Sequence, residues 1–333
     1  MKKIALFLFF GAQLLSIRAQ EGPPVVVATA SMFFDMAKNI AGEHLPIQLI
    51  VPIGSDPHLH IPTPQDAKLV ADADLILKNG LTFEGWLEEL IKNSGTNAAV
   101  KTITEGIEAI ASDEYANSTD PHAWMNARHG LVYIKNIKEA LTQLVPEHAE
   151  DFEANYQRYK KELEELDRYI ESEIQKIPES RRILITSHDA FQYYGRRYGI
   201  QLESTLGTST DAEVQTSDIV RLNRIIRKNK VPAIFVESTI NPKLMNQLAK
   251  DNRIKTGGQL YADSIGDEDS PASTYLAMLK YNTDTIVKAL TAEVEEKTDQ
   301  ETAPPSSNRI LLFGILGIAV LGGFAFIMRR LNQ

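Results

Sequence analysis

The chain has 333 residues, of which 43% are hydrophobic and 24% charged, enough apolar side chains for one or two sizeable cores and too many charges for a multi-span membrane protein. Its 35 basic and 44 acidic residues give a formal net charge of −9. Cysteine is absent, which excludes disulfides, zinc–thiolate centres and a lipidated N-terminal cysteine.

In chain order, Lys2 and Lys3 precede an apolar run over residues 4–15 and the small Ala19, the layout of a cleavable secretory signal over residues 1–19. The body is therefore expected outside the cytoplasm. From residue 23, apolar β-branched runs alternate with amphipathic stretches: residues 25–29 precede 32–40, and 47–53 precede 64–73. Such alternation predicts an α/β fold of βα units on parallel sheets. Further strands are predicted at residues 75–78, 100–103, 183–186 and 233–237, with helices at 131–144 and 275–290.

Residues 147–177 carry Phe152, Tyr156, Tyr159, Leu163, Leu166, Ile170 and Ile174 at spacings of 3 and 4, between Pro146 and Pro178. That is one long helix with a single apolar stripe. About 30 residues of helix reach about 45 Å, so we expect a rigid strut joining two lobes, residues 23–146 and 179–292. Coiled-coil association is the alternative use of such a stripe. Residues 293–308, rich in Glu, Thr, Pro and Ser, read as a solvated tether.

Residues 310–328 hold no charge or amide and would span about 28 Å as a helix. A transmembrane helix over 309–328 is expected, with Arg329 and Arg330 directing the C-terminus to the cytoplasm. The two ends hold six of the 35 basic residues and none of the 44 acids, so the exported body carries 29 against 44, a net charge of −15. That balance argues against nucleic acid as a partner and suits cations.

Three of the seven histidines lie in loops that follow predicted strands or precede predicted helices. His58 ends Asp56-Pro57-His58, His122 stands in Asp120-Pro121-His122-Ala123-Trp124, and His188 in Thr186-Ser187-His188-Asp189-Ala190-Phe191. In α/β folds ligands bind beyond the C-terminal strand ends, where such loops sit. Their separation in sequence means that only the fold can assemble them.

These segments, together with Asn79-Gly80-Leu81, Glu84-Gly85-Trp86-Leu87, Phe235-Val236-Glu237-Ser238 and residues 257–264, resemble the zinc- and manganese-specific solute-binding proteins of bacterial ABC metal uptake transporters (the cluster A-I family) over the whole exported body. The resemblance implies a metal held between the lobes by His58, His122, His188 and Asp263. It also implies delivery of Zn²⁺ or Mn²⁺ to a membrane permease, and no enzymatic activity. Three imidazoles and a carboxylate suit tetrahedral Zn²⁺, and a bidentate Asp263 would add a fifth bond and admit Mn²⁺. Neutral imidazoles compete with protons, so affinity is expected to fall from about pH 7 to 5, and release is expected to involve rearrangement around His188 or Asp263.

Alternatives exist for each residue. His60, two positions from His58, could join it as a His-x-His chelate, though a packing role is expected. Asp263 could cap the helix at 275–290, and Glu237 could orient a ligand histidine. His44, His129 and His148 read as structural. A zinc metallohydrolase would need an open coordination position and a base, with Asp189 and Glu237 the only local candidates. A surface adhesin is the third class, favoured by the anchor. Two features depart from the family: residues 93–117 contain Glu105, Glu108, Asp113 and Glu114 but no histidine, where zinc-specific members often carry a His-rich loop, and the attachment is C-terminal rather than an N-terminal lipid.

Overall fold

In the computed structural model, residues 22–111, 119–211 and 213–292 are described. The expected signal at 1–19, the tether at 293–308 and the transmembrane helix at 309–328 lie outside them. Among the described residues, no helix is long and apolar enough to cross a membrane.

Strand β1 (Val26–Ala28) is wholly buried and runs into helix α1 (Ser31–Ala41), and β2 (Ile47–Leu49) returns beside it. Helix α2 (Pro64–Ala71) starts at a reciprocal cap, in which the Thr63 hydroxyl accepts from the backbone N–H of Asp66 and the Asp66 carboxylate accepts from that of Thr63. Then come β3 (Leu75–Lys78), α3 (Leu87–Ser94) and β4 (Ala99–Thr102). The four strands form one parallel sheet in the order β2-β1-β3-β4, with Val26 opposite both Ile47 and Leu75.

After α4 (Ala127–Leu144) and a 3-10 turn over Pro146–His148, α5 (Ala149–Ile174) runs for 26 residues. The remaining strands pair in parallel as β5 (Ile183–Thr186) with β6 (Gln201–Ser204) and β7 (Ala233–Glu237) with β8 (Lys255–Leu260). Between and after them lie α6 (Gln192–Tyr198), α7 (Thr216–Asn229), α8 (Lys243–Asp251) and α9 (Tyr275–Thr291).

The α/β class and the parallel pairing follow the sequence pattern. Strands β6 and β8 had no such signal, since β8 contains Gly257 and Gly258 and is largely exposed or half-buried. Gly257 is required by close packing: a Cβ there would stand 2.7 Å from Phe235 and 2.8 Å from the Ala289 side chain of α9.

The apolar stripe of α5 is spent inside the chain, which removes the coiled-coil alternative. Phe152, Tyr159, Leu163, Leu166, Ile170 and Ile174 are buried, Tyr156 partly so, and the helix lies against α1, α4 and α9. One cluster of buried side chains runs from β1 and α1 through α5 to α9, so α5 is a core element as well as a connector.

Candidate metal centre

Each of the four residues implied as ligands is fixed by its own element. His58 lies in the turn after β2, where the Asp56 carboxylate accepts its backbone N–H (2.9 Å). Trp86, at the start of α3, donates its indole N–H to the carbonyl of Pro57 (2.9 Å), and the His58 ring stands edge-on to Phe83 with centroids 4.9 Å apart. His122 precedes a 3-10 turn over Ala123–Met125, and His188 follows directly on β5. Asp263 follows β8; on one side of it the carbonyl of Ala262 accepts from the Trp124 indole (2.9 Å), and on the other the Ser264 hydroxyl accepts from the N–H of Gly54 (2.8 Å). Asp263 caps nothing, because the N-cap of α9 is Thr274.

The fold brings one donor atom from each of these residues within 4.8 Å of all the others. The Nε2 atom of His122 lies 3.2 Å from that of His58 and 3.3 Å from that of His188. Asp263 faces them with both oxygens: Oδ1 is 3.3 Å from His122 Nε2 and 3.8 Å from His58 Nε2, and Oδ2 is 3.2 Å from His188 Nε2. A tetrahedron with bonds of about 2.0–2.1 Å has edges of about 3.3 Å, so these separations fit four donors around one ion. Three of the side chains are fully buried and that of His58 is 5% exposed.

Behind the cluster, two carboxylates face the rings. Asp120 Oδ1 is 2.7 Å from Nδ1 of His122 and also accepts that residue's backbone N–H. Glu237, at the end of β7, has Oε2 2.6 Å from Nδ1 of His188 and accepts that residue's N–H at Oε1 (2.9 Å). A proton on His122 Nδ1, held by Asp120, leaves its Nε2 lone pair pointing inward, the tautomer that a metal requires, while Glu237 stands beside the His188 ring as a charge partner. Neither oxygen of the buried Asp263 carboxylate meets a protein donor in hydrogen-bonding geometry. Inward lone pairs facing a buried carboxylate at about 3.3 Å repel unless positive charge, a metal ion or protons on the rings, lies among them.

Protonation responds to the same charges. Burial works against a charged ring at His122, yet Asp120 and then Asp263 overcome it and push the pKa up to about 9. At His188 burial is likewise outweighed by Glu237 and Asp263, and the pKa is raised well above the ordinary value. Burial also opposes a charged Asp263, but His188, His122 and His58 hold it well below the carboxylate range.

His60 turns away from the cluster. Its Nε2 is 3.1 Å from the Asp66 carboxylate and its ring lies against Trp86 with centroids 4.8 Å apart, the packing role. His129 stands edge-on to Tyr193, 5.3 Å between centroids, where burial lowers its pKa. Glu237 accepts the His188 backbone N–H and stands beside its ring, whereas the same role of Asp120 at His122 had no signal beyond its place in the Asp-Pro-His segment. The exposed edge of the cluster is at His58.

Comparison with known proteins places this geometry in a family. The family model described as zinc-uptake complex component A, periplasmic (ZnuA), matches residues 26–289. The chain belongs to that family. It is thereby the solute-binding component of a metal uptake system and not an enzyme. It is 34% identical to the manganese-binding lipoprotein MntA of Halalkalibacterium halodurans, over 80% of this chain and 88% of that protein. It is also 34% identical to the metal ABC transporter substrate-binding lipoprotein FimA of Streptococcus parasanguinis, over 87% of this chain and 99% of that one. The solved periplasmic zinc-binding protein TroA of Treponema pallidum superposes with a TM-score of 0.78 at 34% identity, covering 81% of this chain and all of that one. The manganese-bound periplasmic metal-binding protein of Candidatus Liberibacter asiaticus gives 0.74 at 30% identity, over 80% and 99% of the two chains.

Proposed function

We propose that the chain captures one divalent transition-metal ion, Zn²⁺ or Mn²⁺, outside the cytoplasm through His58, His122, His188 and Asp263, and surrenders it to a membrane ABC permease for import. The observation that carries this reading is the meeting of three imidazole Nε2 atoms with a buried carboxylate that no protein donor satisfies. A cation completes that arrangement. Four protein donors fill a tetrahedral shell and leave no position for an activated water, so the site is built to hold and release rather than to hydrolyse.

Both oxygens of Asp263 face the imidazoles, and a five-coordinate ion with a bidentate Asp263 would admit Mn²⁺ where zinc is scarce. The manganese-binding name of one relative and the zinc-binding name of a structural neighbour support both options. The lobes are residues 23–146 and 179–292, each giving two ligands, with the long helix expected over 147–177 between them. Relatives are named lipoproteins, whereas this sequence has no cysteine, and we assign membrane attachment to the apolar segment 309–328.

Elemental analysis of the chain purified from its native compartment tests the assignment. About one tightly held equivalent of zinc or manganese is expected per chain, and its loss in His122→Ala. A metal-free wild type, or equal metal in the variant, overturns it.

A further inference from the structure

A second group of donors lies at the start of α5, away from the central cluster. His44, in the turn after α1, and His148, in the 3-10 turn before α5, stack their rings with centroids 4.0 Å apart and planes 28° from parallel. Both turn a nitrogen toward one carboxylate oxygen: Asp151 Oδ2 is 3.2 Å from His44 Nε2 and 3.6 Å from His148 Nδ1. One donor atom from each of the three residues lies within 4.8 Å of the other two.

Beneath them the buried Phe152 supports both imidazoles, each at a centroid separation of 6.1 Å. Asn155 of α5 donates to the carbonyl of Ile40 (3.1 Å), which ties the helix to the C-terminal end of α1. The donors are therefore held by packing from two elements, although their side chains remain 33%, 34% and 56% exposed.

We propose that His44, His148 and Asp151 form a second divalent-metal site, selective for Zn²⁺ and similar imidazole-seeking ions over Mn²⁺. Two donors bound to one ion at about 2.1 Å and about 90–120° apart stand about 3.0–3.6 Å from each other, and both carboxylate–imidazole separations fall in that range, while the two rings, stacked 28° from parallel, must turn about their side-chain bonds to bring both lone pairs onto the ion. Two nitrogens and one oxygen favour Zn²⁺, Ni²⁺ or Cu²⁺, while Mn²⁺ is the weakest of the divalent series on such ligands. Three protein ligands leave positions for water, and the exposure makes the site weaker than the four-ligand centre. An ion here ties the turn after α1 to the first turn of α5.

The full chain titrated calorimetrically with Zn²⁺ alone and with Mn²⁺ alone tests this. Zinc should bind in two classes and manganese in one. His44→Gln and His148→Ala should each weaken the second zinc class by about tenfold or more and leave the first unchanged. In His122→Ala the weaker class should survive, and adding His44→Gln should then weaken that class by about tenfold or more. If His122→Ala fails to fold, the His44 and His148 variants in the otherwise unchanged chain decide alone. A zinc stoichiometry of one, or weak zinc binding indifferent to both variants, overturns the proposal and leaves the central site untouched.

Discussion

At the level of single residues, the four central side chains are unequal to their neighbours in a testable way. Replacing His58, His122 or His188 by Ala opens the shell and leaves a buried carboxylate less satisfied, so each should cost more than the 10–100-fold, approximately, that loss of an outer orienting partner costs. Asp120→Asn and Glu237→Gln should fall within that smaller range, and His60→Ala should change affinity little, because its ring serves Asp66 and Trp86. Calorimetric titration of the set decides the ranking, and equal losses at His58 and His60 would restore the His-x-His alternative. Proton competition follows from the carboxylates behind the rings. With the His122 pKa pushed up to about 9 and that of His188 also raised, the metal-free site holds protons at neutral pH that a metal must displace. Affinity should therefore climb by about tenfold or more per pH unit between about pH 6.5 and 9, with release of about two protons per metal at pH 7. Titration in buffers of different ionisation enthalpy measures that release, and a flat profile would show that the imidazoles are not the donors. The sequence alone suggested a fall between pH 7 and 5, because it did not reveal that Asp120 and Glu237 would face the ring nitrogens.

At the level of elements, the loop carrying His58 is the side on which release is expected to begin, because His58 is the one member of the cluster with any exposure. The other three proposed ligands are wholly buried, while this loop is held across the site by two hydrogen bonds, Thr210 Oγ1 to Asp56 Oδ2 (2.6 Å) and Gly54 N to Ser264 Oγ (2.8 Å). A net hydrogen bond contributes about 0.5–1.5 kcal/mol, a factor of about two to ten. Thr210→Val should accordingly speed metal dissociation by about twofold to tenfold without altering the ligands, as read by stopped-flow transfer to a chelator. An unchanged rate would mean that release proceeds around His188 or Asp263, as the sequence had suggested.

For the molecule as a whole, α5 and the buried cluster around it limit how far the two halves can part. A continuous helix bends only by breaking backbone hydrogen bonds, and swinging the halves apart would also expose side chains such as Phe152, Leu163 and Tyr275 that lie in one core. Small-angle scattering of metal-free and metal-loaded protein should differ in radius of gyration by less than about 1–2 Å. A change of several ångströms would show hinged opening. Stability is linked to the same site. A histidine whose folded pKa is raised stabilises the metal-free fold fully below about pH 6.5, and that contribution is lost as pH rises through about 9. Melting of the metal-free protein should therefore fall across that window, and added metal should raise it by mass action.

The sequence by itself determined the α/β class, the strands at residues 75–78, 183–186 and 233–237, the buried stripe of α5 and the three histidine loops, because periodicity, proline boundaries and short motifs are local. What the tertiary structure decided is which of those loops meet. His60 sits two residues from a central histidine yet faces Asp66, and Asp263 caps no helix although sequence permitted it. Strands β6 and β8 lacked alternation because their environment is set by neighbours rather than by a clean inside and outside. The charges beside the His122 and His188 rings come from carboxylates that are either adjacent in sequence, as Asp120 is, or 49 residues away, as Glu237 is. Distances between donors, and the charges that tune them, are properties of elements packed together. The His44–His148–Asp151 group arises in the same way, from a turn and a helix start that only the packing of α1 against α5 brings together.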